Sequence, residues 1–353
     1  MASPIPSTIR QWNVVGQEGF QSLRFSEQML PEFGDSQVLV RLQGATLNFR
    51  DIVISHGKYP WDVKSNVVPG SDGAGTVLAV GKDVTRFKPG DKIITVLSPI
   101  YLGGPVTDDI TKWGLGGSID GTFRTVGVFS EQGLVAMPEA LTFIEAASLS
   151  CAGVTAWNAL FGLPGKRVSP GQWVLTQGTG GVSIFAIQFA KAAGARVIST
   201  TSSAAKAKIL EELAVDHIIN YRETVDWGLE AKRLTGGAGV DLVVEIAGAT
   251  TLSQSLASVK LDGTIVTTGY AGGEAKGQGV PTFLDSWLSL VTVRGVRAGS
   301  RIQMEEMCKA IDVHPDKLRP IIDSEVFKLE QLKEAYEYLE SGKHQGKVGI
   351  VIE

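Results

Sequence analysis

The spacing of apolar and polar residues changes character near residue 141. Before that point the apolar runs are short. Residues 38–42, 75–80 and 92–97 each fit a strand, and Gly, Pro and Asp punctuate them. Phe87-Lys88-Pro89-Gly90-Asp91 reads as a turn between two such runs. Residues 98–121 are Gly-rich and irregular, which predicts a long surface loop. After residue 141, strand-like and helix-like periods alternate. Strands are predicted at 173–176, 196–200, 217–220, 242–245 and 263–267, with helices at 182–193 and 204–213. That alternation predicts a parallel sheet wrapped by helices. It stops near residue 297. The remainder carries an amphipathic helix at 329–339 and a final strand at 347–352.

Composition narrows the setting. A chain of 353 residues suits two domains, and 43% apolar residues supply their cores. A net charge of −4 leaves no basic patch for nucleic acid and no polybasic membrane signal. No run approaches the ~18 apolar residues a membrane span needs. Two cysteines, Cys151 and Cys308, exclude a disulfide framework and suit a reducing compartment. Residues 1–12 lack the apolar stretch of a secretory leader. The expectation is a soluble, cytoplasmic protein. A weak organelle signal stays open, because Arg10 and the early Ser and Thr residues come without acids.

The chemistry starts at Val174-Leu175-Thr176-Gln177-Gly178-Thr179-Gly180-Gly181-Val182-Ser183. A strand runs into glycines, and the glycines run into a helix. Gly178 suits a sharp turn, and Gly180 lets the backbone approach a pyrophosphate. The helix N-terminus at Gly181 and Val182 then offers free N–H groups. Ser183 stands where a third glycine is usual. The pattern predicts a bound nicotinamide dinucleotide, against the plainer reading of an ordinary strand–helix turn. An acid ending the second strand would bind the ribose 2′-OH of NAD. Here that strand ends Ser199-Thr200-Thr201-Ser202-Ser203, with Lys206 one turn on and Asn220-Tyr221-Arg222 after the third strand. Hydroxyls and an ammonium suit a 2′-phosphate, so NADPH is the expected cofactor. Ser202 or Ser203 also suits a helix N-cap, and the two roles are compatible.

These motifs, with several others, carry a family resemblance. Leu47-Asn48-Phe49-Arg50-Asp51, Pro69-Gly70-Ser71-Asp72-Gly73-Ala74-Gly75, Pro89-Gly90-Asp91, residues 147–157, the glycine turn and Gly346-Lys347 follow one another in order. Over nearly its full length the chain resembles the medium-chain dehydrogenase/reductase superfamily, and within it the zinc-independent quinone oxidoreductase branch. The resemblance implies an α/β fold with a GroES-like β-rich catalytic domain from 1–145 and 298–353. It implies a doubly wound Rossmann domain at 146–297, an active site in the cleft between them, and a homodimer. It also implies cofactor contacts from Thr155, from Ala247-Gly248 and Gly269-Tyr270 at the carboxyl edge of the sheet, and from Lys347. A solvated Lys347 is the plainer alternative.

Relatives that use catalytic zinc hold it through Cys, His and Cys. The corresponding residues here are Asn48, Ser71 and Cys151. One thiol is too few for a catalytic zinc, and two cysteines cannot form a four-cysteine structural site. A set of Cys151, Asp72 and His56 is the remaining alternative, and no metal is expected. Cys151 otherwise reads as a small apolar residue, and Cys308 as helix packing. Without a Lewis acid, alcohol oxidation is hard and reduction of an electrophilic acceptor is easier. Asn48 is a candidate donor to a substrate carbonyl or to the nicotinamide ribose. Tyr59 is a candidate donor of a hydrogen bond or proton, or a loop aromatic that shields the cleft. Asp51 suits a structural role, although the same string resembles enoyl reductase modules of fatty-acid and polyketide synthases. The expected activity is NADPH-dependent reduction of a quinone or an α,β-unsaturated carbonyl. A trans-acting enoyl reductase and a catalytically silent NADPH-binding protein are the alternatives.

Overall fold

A computed structural model describes residues 5–274 and 280–353. The first four residues of the segment read above as lacking a leader lie outside it. The chain divides into two compact units: Met1–Val154 with Gly299–Glu353, and Thr155–Ala298. Among the described residues, no helix is long and apolar enough to cross a membrane.

Unit one opens with a hairpin of β1 (Thr8–Val14) and β2 (Leu23–Met29). It continues through β3 (Gln37–Thr46), β4 (Asp72–Val80), β5 (Lys92–Thr95), β6 (Val126–Ser130) and β7 (Leu134–Ala136). Unit two supplies β8 (Trp173–Gln177), β9 (Arg196–Thr201), β10 (His217–Asn220), β11 (Val240–Glu245), β12 (Val259–Thr267) and β13 (Thr292–Gly295). The chain then returns to unit one with β14 (Ile322–Lys328) and β15 (Lys347–Val351).

The main sheet of unit one runs β14-β15-β3-β4-β5-β7, and β6 pairs with β3. β3 is its spine, mostly buried and lying between antiparallel neighbours on both sides. Its register against β4 shifts twice. A Cβ on Gly75 would sit 2.0 Å from the Arg41 carbonyl oxygen, so only glycine admits the close approach of the two strands. β3 and β4 are paired through Thr46 and Asp72, while β15 lies along the other side of β3, with Gly349 opposite Thr46. Three strand ends therefore deliver Thr46, Asp72 and Lys347 to one place. Leu42, Leu47, Val67, Phe123, Leu332, Tyr336 and Val348 fill the core beneath.

Residues 98–121 are irregular, with one short 3-10 turn at Asp108–Lys112, but they do not all lie on the surface as predicted. Ile110 and Leu115 are buried, and Gly116 and Gly121 press on the backbone of Gly70. Gly116 and Gly121, two of the glycines that suggested an exposed loop, stand where a side chain would collide with that backbone.

The sheet of unit two runs β10-β9-β8-β11-β12-β13, with every neighbouring pair parallel. Counted within the unit this is the order 3-2-1-4-5-6, in which the winding reverses between β8 and β11. Five of its strands fall where the apolar runs predict them. The sixth, β13, is a four-residue edge strand whose alternating half-exposed residues make no apolar run. Leu175, Ile198, Val243 and Ile265 form the middle of the core, with Trp227 and Ala231 of the helix Trp227–Leu234 covering one face.

Candidate active site

In unit two the glycine turn sits at the carboxyl end of β8, at the reversal point of the sheet. Gly178 has φ +72°, a left-handed conformation that favours glycine. A Cβ on Gly178 or Gly180 would meet no heavy atom within 4 Å, so the space beside both is open. The helix Gly181–Ala192 begins there, and its N-cap, Gly180, makes no side-chain cap bond. The first N–H groups of a helix have no intrahelical partner and suit an anion. The residues fit a dinucleotide pyrophosphate.

A buried carboxylate that the sequence reading missed holds this turn in place. Glu245 ends β11 and is fully buried. One oxygen accepts from Ala247 N and Gly248 N, both at 2.9 Å, and from Thr251 Oγ1 at 2.7 Å. The other accepts from Gln177 Nε2 at 2.7 Å and Ser255 Oγ at 2.5 Å. Gln177 is the last residue before the turn, and its Oε1 accepts from Ile246 N and Ala247 N. Ser183 Oγ donates to the Gln177 carbonyl at 2.6 Å. The two loops that flank the reversal point are thus joined through Gln177 and Glu245. The available signal was an acid closing the apolar run Leu242-Val243-Val244.

At the end of β9, Thr201 is buried and Ser203 caps the helix Ala204–Glu212, accepting from Lys206 N at 3.4 Å. Tyr221 N donates to Thr201 O, which draws the segment after β10 against the end of β9. A cavity of about 400 Å³ opens beside Thr201, Ser203 and Ala207, with Asn220 and Glu223 on its far side. Asn220 Nδ2 holds Glu223 at 2.6 Å. Ser202 and Lys206 are part-buried and do not line that cavity. Thr155 is buried on the first turn of the helix Val154–Phe161. Gly248 lies close to Gly269 and Tyr270 at the carboxyl edge of the sheet, 3.2 Å from the Gly269 oxygen to a Cβ position on Gly248.

In unit one, Lys347 is almost wholly buried at 3% exposure, and its ammonium meets three acceptors. They are Leu47 O at 2.6 Å, Asn48 Oδ1 at 2.5 Å and Asp72 Oδ2 at 3.0 Å. Asp72, also fully buried, accepts from Thr46 Oγ1 at 2.6 Å and Ser71 Oγ at 3.2 Å. Asn48 Nδ2 lies 3.4 Å from Ser71 Oγ. Lys347, expected as a cofactor contact, has its three donors directed at the Asn48 cluster. Asn48 also starts the helix Phe49–Ser55, and its backbone N–H donates to Asp51 Oδ2 at 2.8 Å.

Arg50 turns the other way from that helix. Its Nε donates to Tyr59 OH at 3.1 Å, its NH1 to Leu115 O at 2.8 Å, and its guanidinium lies 5.0 Å from the Tyr59 ring centre. Trp61 packs edge-on against Tyr59 at 5.1 Å. Asp51 is buried 3.8 Å from Arg50, too far for a hydrogen bond, and its Oδ1 has no hydrogen-bond partner among the described residues. Burial pushes its carboxyl up to about 6, against the opposing pull of Arg50 and the Asn48 N–H.

Cys151 lies on the π-helical turn Leu149–Gly153, next to Ser150, whose hydroxyl is 3.3 Å from Thr95 Oγ1. Burial, then the negative charge of Asp72, pushes its thiol up to about 12. Among the described residues, no three His, Cys, Asp or Glu side chains are placed to hold a metal ion. Cys308 is buried on the helix Arg301–Val313, as expected of a packing residue.

These two sets of residues sit on a framework shared with known proteins. The alcohol dehydrogenase GroES-like domain matches residues 34–139, and the zinc-binding dehydrogenase domain matches residues 181–312. A zinc-type alcohol dehydrogenase-like protein of Schizosaccharomyces pombe is 41% identical over 337 residues, covering 95% of this chain and 96% of its own. A crystal structure of a Sinorhizobium meliloti protein assigned as an alcohol dehydrogenase has a TM-score of 0.88 at 36% identity, covering 99% of this chain and 100% of that one. A Pseudomonas syringae quinone oxidoreductase has a TM-score of 0.81 at 27% identity, covering 97% and 99%. The chain belongs to the medium-chain dehydrogenase/reductase superfamily, with its GroES-like β-rich domain and its Rossmann parallel-sheet domain, and is an oxidoreductase of that family.

Proposed function

We propose that the protein is an NADPH-dependent reductase that works without zinc and delivers hydride to a quinone or an α,β-unsaturated carbonyl. The observation that carries this reading is the donor set at Asn48, Ser71 and Cys151. It offers a neutral amide, a hydroxyl bound to Asp72 and a single thiol, beside an ammonium already seated on Asp72. A catalytic zinc needs about three good ligands, so these residues do not fit one. Bound NADPH supplies a hydride from its nicotinamide ring. The chain supplies the rest: Gly178, Thr179, Gly180, Gly181 and Val182 seat the pyrophosphate, and Glu245 holds their loop. Thr201, Ser202, Ser203, Lys206 and Tyr221 frame the 2′-phosphate. Thr155, Ala247, Gly269 and Tyr270 complete the cofactor contacts. Asn48 donates to the acceptor carbonyl. Tyr59 supplies a proton to the reduced product, its oxygen already accepting from the Arg50 guanidinium, which strengthens donation by its own O–H.

The same reading takes the protein to be a homodimer. Phe283, Leu284, Trp287 and Leu288 are exposed on the helix Phe283–Leu288, near the free edge of the sheet at β13. An apolar patch beside an open strand edge is costly in water and suits a second copy.

The test is NADPH oxidation by the purified chain with simple quinones, enones, acyl-thioester enoyl substrates and alcohols, alongside elemental analysis and mass measurement in solution. Quinone or enone turnover, with NADPH binding tighter than NADH and no stoichiometric zinc, is expected. Turnover confined to enoyl thioesters would shift the reading to a biosynthetic enoyl reductase. One zinc per chain with alcohol oxidation would overturn it, and a monomer would overturn the dimer.

A further inference from the structure

We propose that Lys347 and Asp72 are positioning residues that lock the flip of the Asn48 side-chain amide, so that its –NH2 is the group presented to an acceptor carbonyl. The inference rests on the reductase reading above and assigns that site its source of positive charge.

An asparagine amide is nearly symmetric in shape, and turning it over exchanges an acceptor for two donors. The capping box at the start of the helix Phe49–Ser55 turns the Asp51 backbone toward the Asn48 side chain but makes no side-chain cap hydrogen bond. The choice comes from Lys347. An ammonium only donates, so the Asn48 atom 2.5 Å from Nζ must be the oxygen. The reversed amide would set –NH2 against –NH3⁺ in a place from which water is excluded. The ammonium itself cannot turn aside. Leu47 O and Asp72 Oδ2 hold its other two N–H groups, and Asp72 is fixed in turn by Thr46 and Ser71.

Two consequences follow for the –NH2. It faces away from Lys347, meets Ser71 Oγ only at 3.4 Å, and belongs to a residue that is part-exposed. It is also a stronger donor than an ordinary amide, because a charge-assisted bond at Oδ1 draws electron density from the nitrogen. As hydride adds to an enone or quinone, charge grows on the carbonyl oxygen. An amide backed by a buried cation stabilises that charge with the same polarity as a Lewis acid, and with no metal.

The test uses the full chain in three forms: native, Lys347→Met, and Lys347→Met with Asp72→Asn, which removes the carboxylate left unpaired by the first change. Three quantities are read: the ¹H–¹⁵N resonances of the Asn48 side-chain amide (assigned by their loss in Asn48→Ser) without cofactor, the NADPH dissociation constant, and the single-turnover rate. The native chain should show one resolved, slowly exchanging amide pair. Both variants should lose that signature and slow hydride transfer by about 30-fold or more, with NADPH affinity within about 3-fold of native. Recovery of the native rate in the double variant would overturn the proposal, leaving Lys347 as a counter-ion needed only for folding. So would a loss of NADPH affinity equal to the loss in rate, which would make Lys347 a cofactor contact. A native chain with the locked amide that reduces neither quinones nor enones would sink the reductase reading and leave the lock standing.

Discussion

Glu245 in unit two and Asp72 in unit one are both fully buried, yet they are satisfied by different chemistry. Among the described residues, no cation hydrogen-bonds to Glu245. Five neutral donors surround it, two of them backbone N–H groups of the loop after β11. Asp72 has the Lys347 ammonium and two hydroxyls. The first arrangement fixes backbone, and the second fixes a side chain. A pyrophosphate is bound by main-chain N–H groups, so its seat needs a rigid loop. On the reading proposed above, a carbonyl oxygen at Asn48 would be bound by one amide, and that site would need one rotamer and one flip.

The comparison breaks most readily at the loop itself. Gly180 has an ordinary backbone conformation and open space where a Cβ would go, so Gly180→Val should fold normally. If that space is the pyrophosphate seat, the valine fills it. NADPH affinity should fall by about 1,000-fold or more, which is over about 4 kcal/mol, with the melting temperature unchanged. Fluorescence titration and thermal melting read the two numbers. Retained affinity would mean that the dinucleotide lies elsewhere.

Glu245→Ala comes next in size. It takes an acceptor from five donors in a dry interior, and two of them, the Gly248 N–H and the Ser255 hydroxyl, have no second acceptor among the described residues. Buried donors left unpaired cost about 1–3 kcal/mol each before relaxation. Water entry and repacking recover part of this, and a net loss of about 4 kcal/mol is expected in denaturant unfolding. NADPH affinity should fall with it, because the turn after Gln177 loses its brace. A neutral outcome would show that the loop is rigid without the carboxylate.

The sequence was most legible where one local rule decides the structure. The parallel strands were visible because both faces are covered and their residues are continuously apolar. The glycine turn was visible because the left-handed backbone at Gly178 favours glycine. The edge strand β13 and the hairpin β1–β2 lack that continuity and were not resolved as strands. The Glu245 brace joins residues up to 78 positions apart, and Lys347 reaches Asn48 across 299. No periodicity spans such distances. The resemblance named Asn48 and Lys347 separately, and only the strand ends at Thr46, Asp72 and Lys347 reveal that they act as a pair. The glycines between 98 and 121 misled for the same reason: a residue that permits a turn and one that permits close packing look alike in one dimension.

Asp51 sharpens the comparison because it is only half satisfied: one oxygen accepts from the Asn48 backbone N–H at 2.8 Å. Its nearest cation, Arg50, stands at 3.8 Å, and one of its oxygens has no hydrogen-bond partner among the described residues. A cation nearby has not held its proton affinity down, since its carboxyl is raised to about 6. An acid raised in the folded state contributes stability that is full below its unfolded value and is lost as pH climbs through its folded value. From pH 4 to pH 7 the native chain should therefore lose about 2 kcal/mol relative to Asp51→Asn, which keeps an acceptor for the Asn48 N–H and never ionises. Urea unfolding of both proteins across that range measures the difference. A flat difference would mean that proximity to Arg50 suffices, and the contrast between Glu245 and Asp72 would then turn on geometry rather than on hydrogen bonds. A falling one would mean that in this protein a buried carboxylate is kept charged by direct donors, whether neutral or cationic, and not by a charge a further ångström away.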